Sequence, residues 1–406
     1  MKIKKCRNCK SGKIIRLFSL GNLSFTGKFP KTKSTNIKKA PLNLVKCAKC
    51  NLVQLNKNYN LKYLYGSDYG YRTGMNKTMR NHMKNVQKIL SSKARLLKGD
   101  YVLDIASNDS TLLNIYKKNI KTFGIDPLVN KYYKFYKNIN YKISDFFSAK
   151  KVLKKTKNKF KIITALSVFY DVHDPNKFLQ DICKILHNEG ILMLEHADLL
   201  SILKLKMFDT ICHEHIYYYS TKIIIDLANQ NDLRVFDLKK NNINGGSVQY
   251  FICKKNAKFK TNFYIINKVI RNEKNMKLEN TKTYIDFFKK ITSIKIKTLK
   301  LLNSIIAKKK IIHGYGASTK GNVLLQYFNI NQKHIKFIAE RNPNKYNHYT
   351  PGTKMKIISE KQSRMDFPDY YFILPWHFKN EILKRENKIR KKGCKLIFPL
   401  PKLKIY

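Results

Sequence analysis

Four cysteines in two Cys-x-x-Cys pairs, Cys6/Cys9 and Cys47/Cys50, constrain this chain more than any other feature. Each pair can place two thiolates on one metal ion, and two pairs complete a closed tetrahedral cage. All four positions are filled, so the metal expected here is a structural Zn2+ with no open coordination site. Lys4, Lys5, Lys10, Lys46 and Lys49 stand close by in sequence and favour the thiolate forms. The gap between Cys9 and Cys47 is longer than in a usual zinc ribbon and implies an inserted loop. Residues 1–60 are otherwise polar and turn-rich. Little buried apolar area, and a fold that leans on its metal, are therefore expected of them. Cys183, Cys212, Cys253 and Cys394 are scattered, which suits reduced thiols better than a disulfide framework.

A chain of 406 residues holds two or three separate cores. From Asp100 onward the pattern alternates. Val102–Ile105 reads as a buried strand, Thr111–Lys118 as a helix and Thr122–Ile125 as a second strand. Ile162–Leu166 and Ile191–Leu194 read as further strands, with a helix over Pro175–Leu186 between them. Such alternation predicts a parallel sheet with helices on both faces, the α/β class. A Lys/Asn-rich helical region, about Lys258 to Leu302, leads into a second α/β unit. That unit opens with the strand and glycine turn of Lys310–Gly316 and continues through strands at Ile335–Ala339 and Tyr370–Leu374.

The first α/β unit carries polar residues where its strands end. Asp104 closes the first strand, and the loop Ser107-Asn108-Asp109 offers backbone N–H groups at the sheet's carboxyl edge. Asp126 closes the second strand and can accept both hydroxyls of a ribose. Asp145-Phe146 falls where a third strand would end, with a carboxylate for an adenine amine and a ring to stack on it. Ser167 follows the next strand. The loop lacks the glycines of a dinucleotide fingerprint, which argues against NAD. In this order the pieces point to S-adenosylmethionine.

The tripeptide His213-Glu214-His215 supplies proton-transfer chemistry. In extended chain the two histidines project to one side and Glu214 to the other, unlike the helical His-Glu-x-x-His of a metalloprotease. Histidine acts as a base near neutral pH, and a carboxylate can orient it. His213, Glu214 and His215 are thus the candidate catalytic residues. In the second α/β unit, the N–H groups of Gly314–Asn322 and the Lys320 side chain can hold phosphate. Asn322 lies in the same loop, and Arg341 and Tyr349 lie in turn-forming segments able to face the same cleft.

Lys and Arg number 82 against 26 Asp and Glu, a formal net charge of +56. Such a balance normally suggests nucleic acid or anionic lipid, and a zinc-ribbon nucleic-acid-binding protein is one reading of it. The lysines, however, are spread along the chain with abundant Asn, Ile and Tyr, a joint bias that codon drift on solvated faces produces. No specific nucleic-acid partner is expected. Met1–Lys5 runs straight into Cys6 with no apolar signal region, and no apolar run approaches the roughly 20 residues of a membrane helix. A cytoplasmic chain without a membrane span is expected; no oligomeric state follows from the sequence.

Several motifs in register resemble one family. They are the paired knuckles followed by Leu52-Val53-Gln54-Leu55, then Asp68-Tyr69-Gly70-Tyr71-Arg72-Thr73-Gly74, Ser107-Asn108-Asp109 and Cys212-His213-Glu214-His215. Gly245-Gly246-Ser247, Gly314-Tyr315-Gly316-Ala317-Ser318, Tyr349-Thr350-Pro351-Gly352-Thr353 and Leu374-Pro375-Trp376-His377-Phe378 complete the set. The chain resembles the three-domain S-adenosylmethionine-dependent C-methyltransferases that act on nucleotide-linked deoxy-ketosugars. The resemblance implies a zinc-binding domain at 1–60, a Rossmann-like methyltransferase domain at 61–255 and a Rossmann-like substrate domain at 256–406. It implies a base that removes the proton beside a ketone, by position His215, with Glu214 orienting it and Tyr71 in the substrate cleft. O- or N-methylation of a related sugar is the alternative within enzymes. Three residues depart from the family's usual pattern: Cys212 stands for Tyr, Asp171 for His, and Ser110 for Gly.

Overall fold

β-Branched and aromatic residues build three sheets, and each sheet contributes one wall or support of a single cleft. The computed structural model describes residues 2–66 and 69–406; Asp68 of the Asp68–Gly74 motif lies outside the described residues. The N-terminal sheet contains β1 (Ile14–Ser24), β2 (Lys39–Cys47) and β3 (Val53–Leu55), paired antiparallel. A fourth strand, β9 (Tyr217–Tyr218), closes its edge from the stretch just after His215. Along β2 the burial alternates, with Ala40, Leu42 and Leu44 inside, as a half-buried strand requires.

The expectation of little buried apolar area in residues 1–60 is corrected by β1. Its Leu17, Phe18, Leu20 and Leu23 are buried, and Phe18 stacks on Phe288 with ring centroids 5.0 Å apart. The N-terminal segment therefore shares the main hydrophobic core and does not rest on its metal alone.

The central sheet has seven strands in the order β10-β11-β8-β7-β4-β5-β6. β4 (Tyr101–Ile105), β5 (Lys121–Ile125), β6 (Tyr141–Ile143), β7 (Phe160–Leu166) and β8 (Leu186–His196) run parallel. β10 (Leu233–Asn241) and β11 (Ser247–Lys254) form a hairpin, with β11 antiparallel to β8. Val102, Leu103, Ile162 and Ile163 are wholly enclosed, which explains why these strands read as continuous apolar runs. Helix α1 (Lys77–Lys93) precedes β4, α2 (Pro175–Ile185) precedes β8, and α3 (Thr221–Asn229) precedes β10. Pro175 opens α2 and the Asp174 side chain accepts from the Lys177 N–H, a strong start signal.

Thr111–Lys118 is not the helix expected; only Leu113–Ile115 makes a single 3-10 turn. Side-chain bonds pull the segment out of register. Thr111 donates to Asp109 at 2.5 Å, and Asn114 donates to the Phe135 carbonyl at 2.7 Å, partners that compete with a helical ladder.

The Lys/Asn-rich region forms two helices, α4 (Phe263–Asn275) and α5 (Thr281–Ala307), the second capped by the Asn280 side chain. The last sheet has the order β14-β13-β12-β15-β16-β17. Its strands are β12 (Ile312–Tyr315), β13 (Ile338–Glu340), β14 (Ile357–Ser359), β15 (Tyr370–Ile373), β16 (Lys395–Phe398) and β17 (Lys404–Ile405), all parallel except β17. β13 thus begins later than the expected Ile335. Helix α6 (Thr319–Phe328) follows β12. Gly314 in β12 permits a close approach: a Cβ there would meet the Ile338 Cδ1 at 2.3 Å. Among the described residues no helix is long and apolar enough to cross a membrane.

Candidate functional site

The β1–β2 register, with Ile14 opposite Cys47, draws the two knuckles together. The Sγ atoms of Cys6, Cys9, Cys47 and Cys50 all lie within 4.8 Å of one another. Cys6 and Cys50 stand 3.7 Å apart and Cys9 and Cys47 3.5 Å. A tetrahedral zinc with Zn–S bonds of about 2.3 Å needs S···S edges of about 3.8 Å, so the cage fits the ion. A hydrogen bond from Cys50 holds the Cys6 thiol down at about 5, and Gln54 donates to the Cys6 sulfur at 3.4 Å. Arg7 ties the first knuckle to β3 through Gln54 Oε1 at 2.9 Å and the Leu55 carbonyl at 2.6 Å.

A cavity of 710 Å3 opens between the central sheet's carboxyl edge, the N-terminal segment and the last sheet, within the size range of small-molecule sites. Asp104, Ser107, Asn108, Asp126, Asp145, Phe146 and Ser167 all line it, which brings every expected cofactor residue to one place. Asp126 accepts the Asn108 N–H at 3.0 Å and the Leu128 N–H at 2.6 Å, one on each oxygen. Both oxygens keep a lone pair for a diol. Asp145 is salt-bridged to Lys151 at 2.7 Å, which holds its carboxyl below the ordinary value. Asp104 is buried and rises to about 7, opposed by the 2.6 Å hydrogen bond from Thr164. Ser107 bonds Tyr136 at 2.8 Å.

The loop pays a conformational cost. Ala106, Asn108 and Ser110 all have positive φ, at 59°, 49° and 60°, a region that non-glycine residues occupy only with strain. A strap clamps it from above: Thr73 N–H donates to Asn108 at 2.9 Å, Gly74 N–H to Asp109 at 2.9 Å, and Arg72 pairs with Asp109 at 3.1 Å. Tyr71 is exposed on this strap and lines the cavity, and its carbonyl accepts from Tyr132 at 2.9 Å.

His215 faces the cavity from the opposite wall. Its Nδ1 lies 2.8 Å from the Thr210 carbonyl. A carbonyl can only accept, so Nδ1 carries the proton and Nε2 keeps its lone pair. Burial, and then the charge of Lys320, lower this imidazole to about 3, which keeps it neutral. Tyr170 packs over it with ring centroids 4.2 Å apart.

The tripeptide departs from the extended geometry expected. The chain bends at residues 212–214, and the His215 N–H donates to the Cys212 carbonyl at 3.2 Å. Glu214 and His215 consequently share the cavity, while His213 turns away from it. His213 donates from or accepts at no cavity group; its Nε2 bonds the Ala40 carbonyl at 3.0 Å, and Phe25 and Tyr59 pack edge-on against its ring. Nor does Glu214 orient His215. Its carboxyl accepts from Thr26 at 3.4 Å and is raised by burial, and Gly27 crosses so closely that a Cβ would stand 2.8 Å from Oε1.

Lys320 and Arg341 also line the cavity, whereas Asn322 and Tyr349 do not. Asn322 is wholly buried and donates to the Thr26 carbonyl at 2.7 Å. The Tyr349 N–H donates to the Pro30 carbonyl at 2.8 Å. Both join the last sheet to the N-terminal segment and so act as struts.

Two cavity groups, Asp171 and His377, carry no chemical role in the sequence reading. Asp171 accepts from Tyr65 at 2.6 Å beside Glu214, and burial raises it well above an ordinary carboxyl. His377 sits within the recognised Leu374–Phe378 motif, which carried no chemical signal of its own. Only folding brings these groups opposite residues hundreds of positions away.

A seven-stranded, mainly parallel sheet with acidic residues ending successive strands, opening on a cleft with a neutral histidine, defines a Rossmann-like methyltransferase. Models of a zinc binding domain, a methyltransferase domain and a C-methyltransferase C-terminal domain match residues 6–65, 72–238 and 242–401 in turn. The chain is 24% identical over 408 residues to C-methyltransferase NovU of Streptomyces niveus, covering 99% of this chain and 97% of that protein. Among solved structures, the plantazolicin methyltransferase BamL in complex with a triazolic desmethylPZN analog and SAH is 13% identical, with 44% of this chain and 86% of that one covered and a TM-score of 0.35. Magnesium protoporphyrin IX methyltransferase (ChlM) from Synechocystis PCC 6803 with bound SAH is also 13% identical, with 48% and 92% covered and a TM-score of 0.34. The chain belongs to the three-domain S-adenosylmethionine-dependent C-methyltransferases, with a zinc-binding domain at its N-terminus.

Proposed function

We propose that this enzyme methylates carbon on a nucleotide-linked deoxy-ketosugar. The observation that carries the reading is His215, neutral and with Nε2 free, facing the same cavity as the cofactor edge. Bound S-adenosylmethionine supplies an electron-poor methyl on a sulfonium. Asp126 holds the ribose, Asp145 and Phe146 the adenine, and Asp104, Ser107, Asn108 and Ser167 shape the cleft around them. His215 Nε2 takes the proton beside the sugar ketone, and the C–H electrons become an enolate. A proton alpha to a carbonyl is weakly acidic, so the site must stabilise that charge as well as accept the proton. Tyr71 and Arg341 border the sugar nucleotide at the cavity mouth.

Residues 1–60, 61–255 and 256–406 are assigned as the zinc, methyltransferase and substrate domains. A nucleotide-activated acceptor suits a cytoplasmic enzyme that feeds surface-polysaccharide or glycolipid assembly. The test is incubation of zinc-replete protein with S-adenosylmethionine and a panel of nucleoside diphosphate 4-keto-6-deoxyhexoses, read by mass spectrometry. A gain of one methylene on carbon, with loss of the alpha proton, supports the reading. A methyl on oxygen or nitrogen, or no product from any member of the panel, overturns it.

A further inference from the structure

Lys320 is the second residue of helix α6, which starts where the Ser318 side chain accepts the Gly321 N–H at 3.0 Å. That start delivers its side chain across the cleft to the reactive loop of the central domain. The ammonium donates to the Asn244 carbonyl at 3.0 Å, in a turn where Asn244 has φ 54°. No other hydrogen bond or ion pair engages it among the described residues. Asp209, whose charge acts on Lys320, accepts the Trp376 indole N–H on Oδ2 at 2.8 Å, and its buried Oδ1 has no hydrogen-bond partner among the described residues. Thr210, the neighbour of Asp209, is the residue that orients His215, and His377 follows Trp376. Lys320, His215, His377 and Asn244 all line the cavity. A lone cation thus stands at the proton-transfer end of the cleft.

We infer that Lys320 is a catalytic residue whose ammonium binds the sugar's carbonyl oxygen and stabilises the enolate as His215 removes the neighbouring proton. The inference rests on the sugar-methylating reading above. It differs from the phosphate-holding role that the glycine loop suggested. Arg341, Arg385 and Lys345 are other cations lining the cavity, and a multiply charged phosphate beside the buried Asp209 would be repelled. One developing negative charge, as on an enolate oxygen, is what a single ammonium can accept there.

The electron count closes. The C–H bond electrons enter the enolate, the proton goes to His215 Nε2, and the carbanion end forms a bond to the methyl carbon while the S–CH3 pair stays on sulfur. The ketone reforms and His215 returns its proton to water. Lys320 supports both stages electrostatically. Its charge adds to burial in keeping His215 neutral before the reaction, and the enolate's charge offsets it while the imidazolium exists. Preorganised donors aimed at developing charge are worth about a hundredfold or more in rate.

The test needs no methyl donor. Thymidine diphosphate 4-keto-6-deoxyglucose and its uridine and guanosine counterparts are incubated with enzyme in deuterated water, and deuterium entry beside the ketone is followed by NMR. Wild-type exchange, with a loss of about a hundredfold or more at saturating sugar in Lys320→Met and unchanged S-adenosylmethionine affinity, supports the inference. Exchange intact in Lys320→Met, or a loss confined to sugar affinity, overturns it and leaves the sugar-methylating reading standing. No exchange by wild type with any of the three overturns both. Lys320→Gln, which keeps a donor without the charge, guards against a folding defect. In either variant the His215 ring should titrate at a higher pH than in wild type, and an unmoved titration counts against the lysine.

Discussion

His215 and Thr210 are joined side chain to backbone, imidazole Nδ1 to carbonyl oxygen, at 2.8 Å. The imidazole is therefore aimed by the main chain of its own loop and not by the carboxylate beside it in sequence. His215→Asn should lower methyl transfer by about 10²–10⁴-fold, the usual worth of a positioned base. S-adenosylmethionine affinity, read by calorimetric titration, should stay nearly unchanged, because among the described residues no cofactor-edge residue hydrogen-bonds the His215 ring. A lost cofactor site in this variant would mark the histidine as structural.

Ser110 occupies the left-handed region at φ 60° with its buried hydroxyl unpartnered among the described residues. Glycine removes both costs. Ser110→Gly should stabilise the protein by about 1 kcal/mol, and Ser110→Ala, which keeps the Cβ, should recover less. Chemical denaturation of the three proteins decides the point; equal midpoints would mean that the loop is unstrained.

Metal removal should weaken this protein without unfolding it. The N-terminal sheet buries Leu17, Phe18, Leu20 and Leu23 in the common core, unlike a small zinc finger that has no fold without its ion. Chelation should lower the melting temperature while far-ultraviolet circular dichroism and cofactor binding persist. Global loss of helix signal on chelation would refute the shared-core argument.

His213 carries a pH signature. Burial lowers its imidazole from 6.5 to about 4. Between those values the unfolded chain binds a proton that the folded chain refuses, so stability rises with pH across that window and falls on acidification. The shift corresponds to about 3 kcal/mol between pH 7 and pH 4. His213→Gln should be flatter than wild type by that amount, measured as the difference between two urea series. Parallel pH curves would show that the ring is already charged or already solvated.

Much of this architecture was legible because the central strands are buried on both faces. Runs such as Val102–Ile105 and Ile162–Leu166 declare themselves, and Asp104, Asp126 and Asp145 follow from where those strands stop. The four cysteines announced their cage through spacing alone. Legibility failed where a side chain's partner comes from far along the chain. Nothing near His213 reveals Ala40, Phe25 or Tyr59, and nothing near Asn322 reveals Thr26, so a binding role and a strut look alike in sequence. The reactive tripeptide failed differently. Alternation in extended chain predicts both histidines on one side, but the Cys212 carbonyl captures the His215 N–H and the bend reverses which residues share a side.

Strand β9 begins two residues after His215 and completes the sheet that carries the zinc cage. The reactive loop is thereby woven into the metal-bearing layer. This part of the enzyme does not behave as a detachable cartridge. Deleting the first sixty residues, or exchanging them for a relative's, would strip the ladder from Tyr217 and Tyr218 and expose a raw edge beside His215. Successful recombination between such enzymes would have to move the N-terminal sheet and the 207–220 segment together.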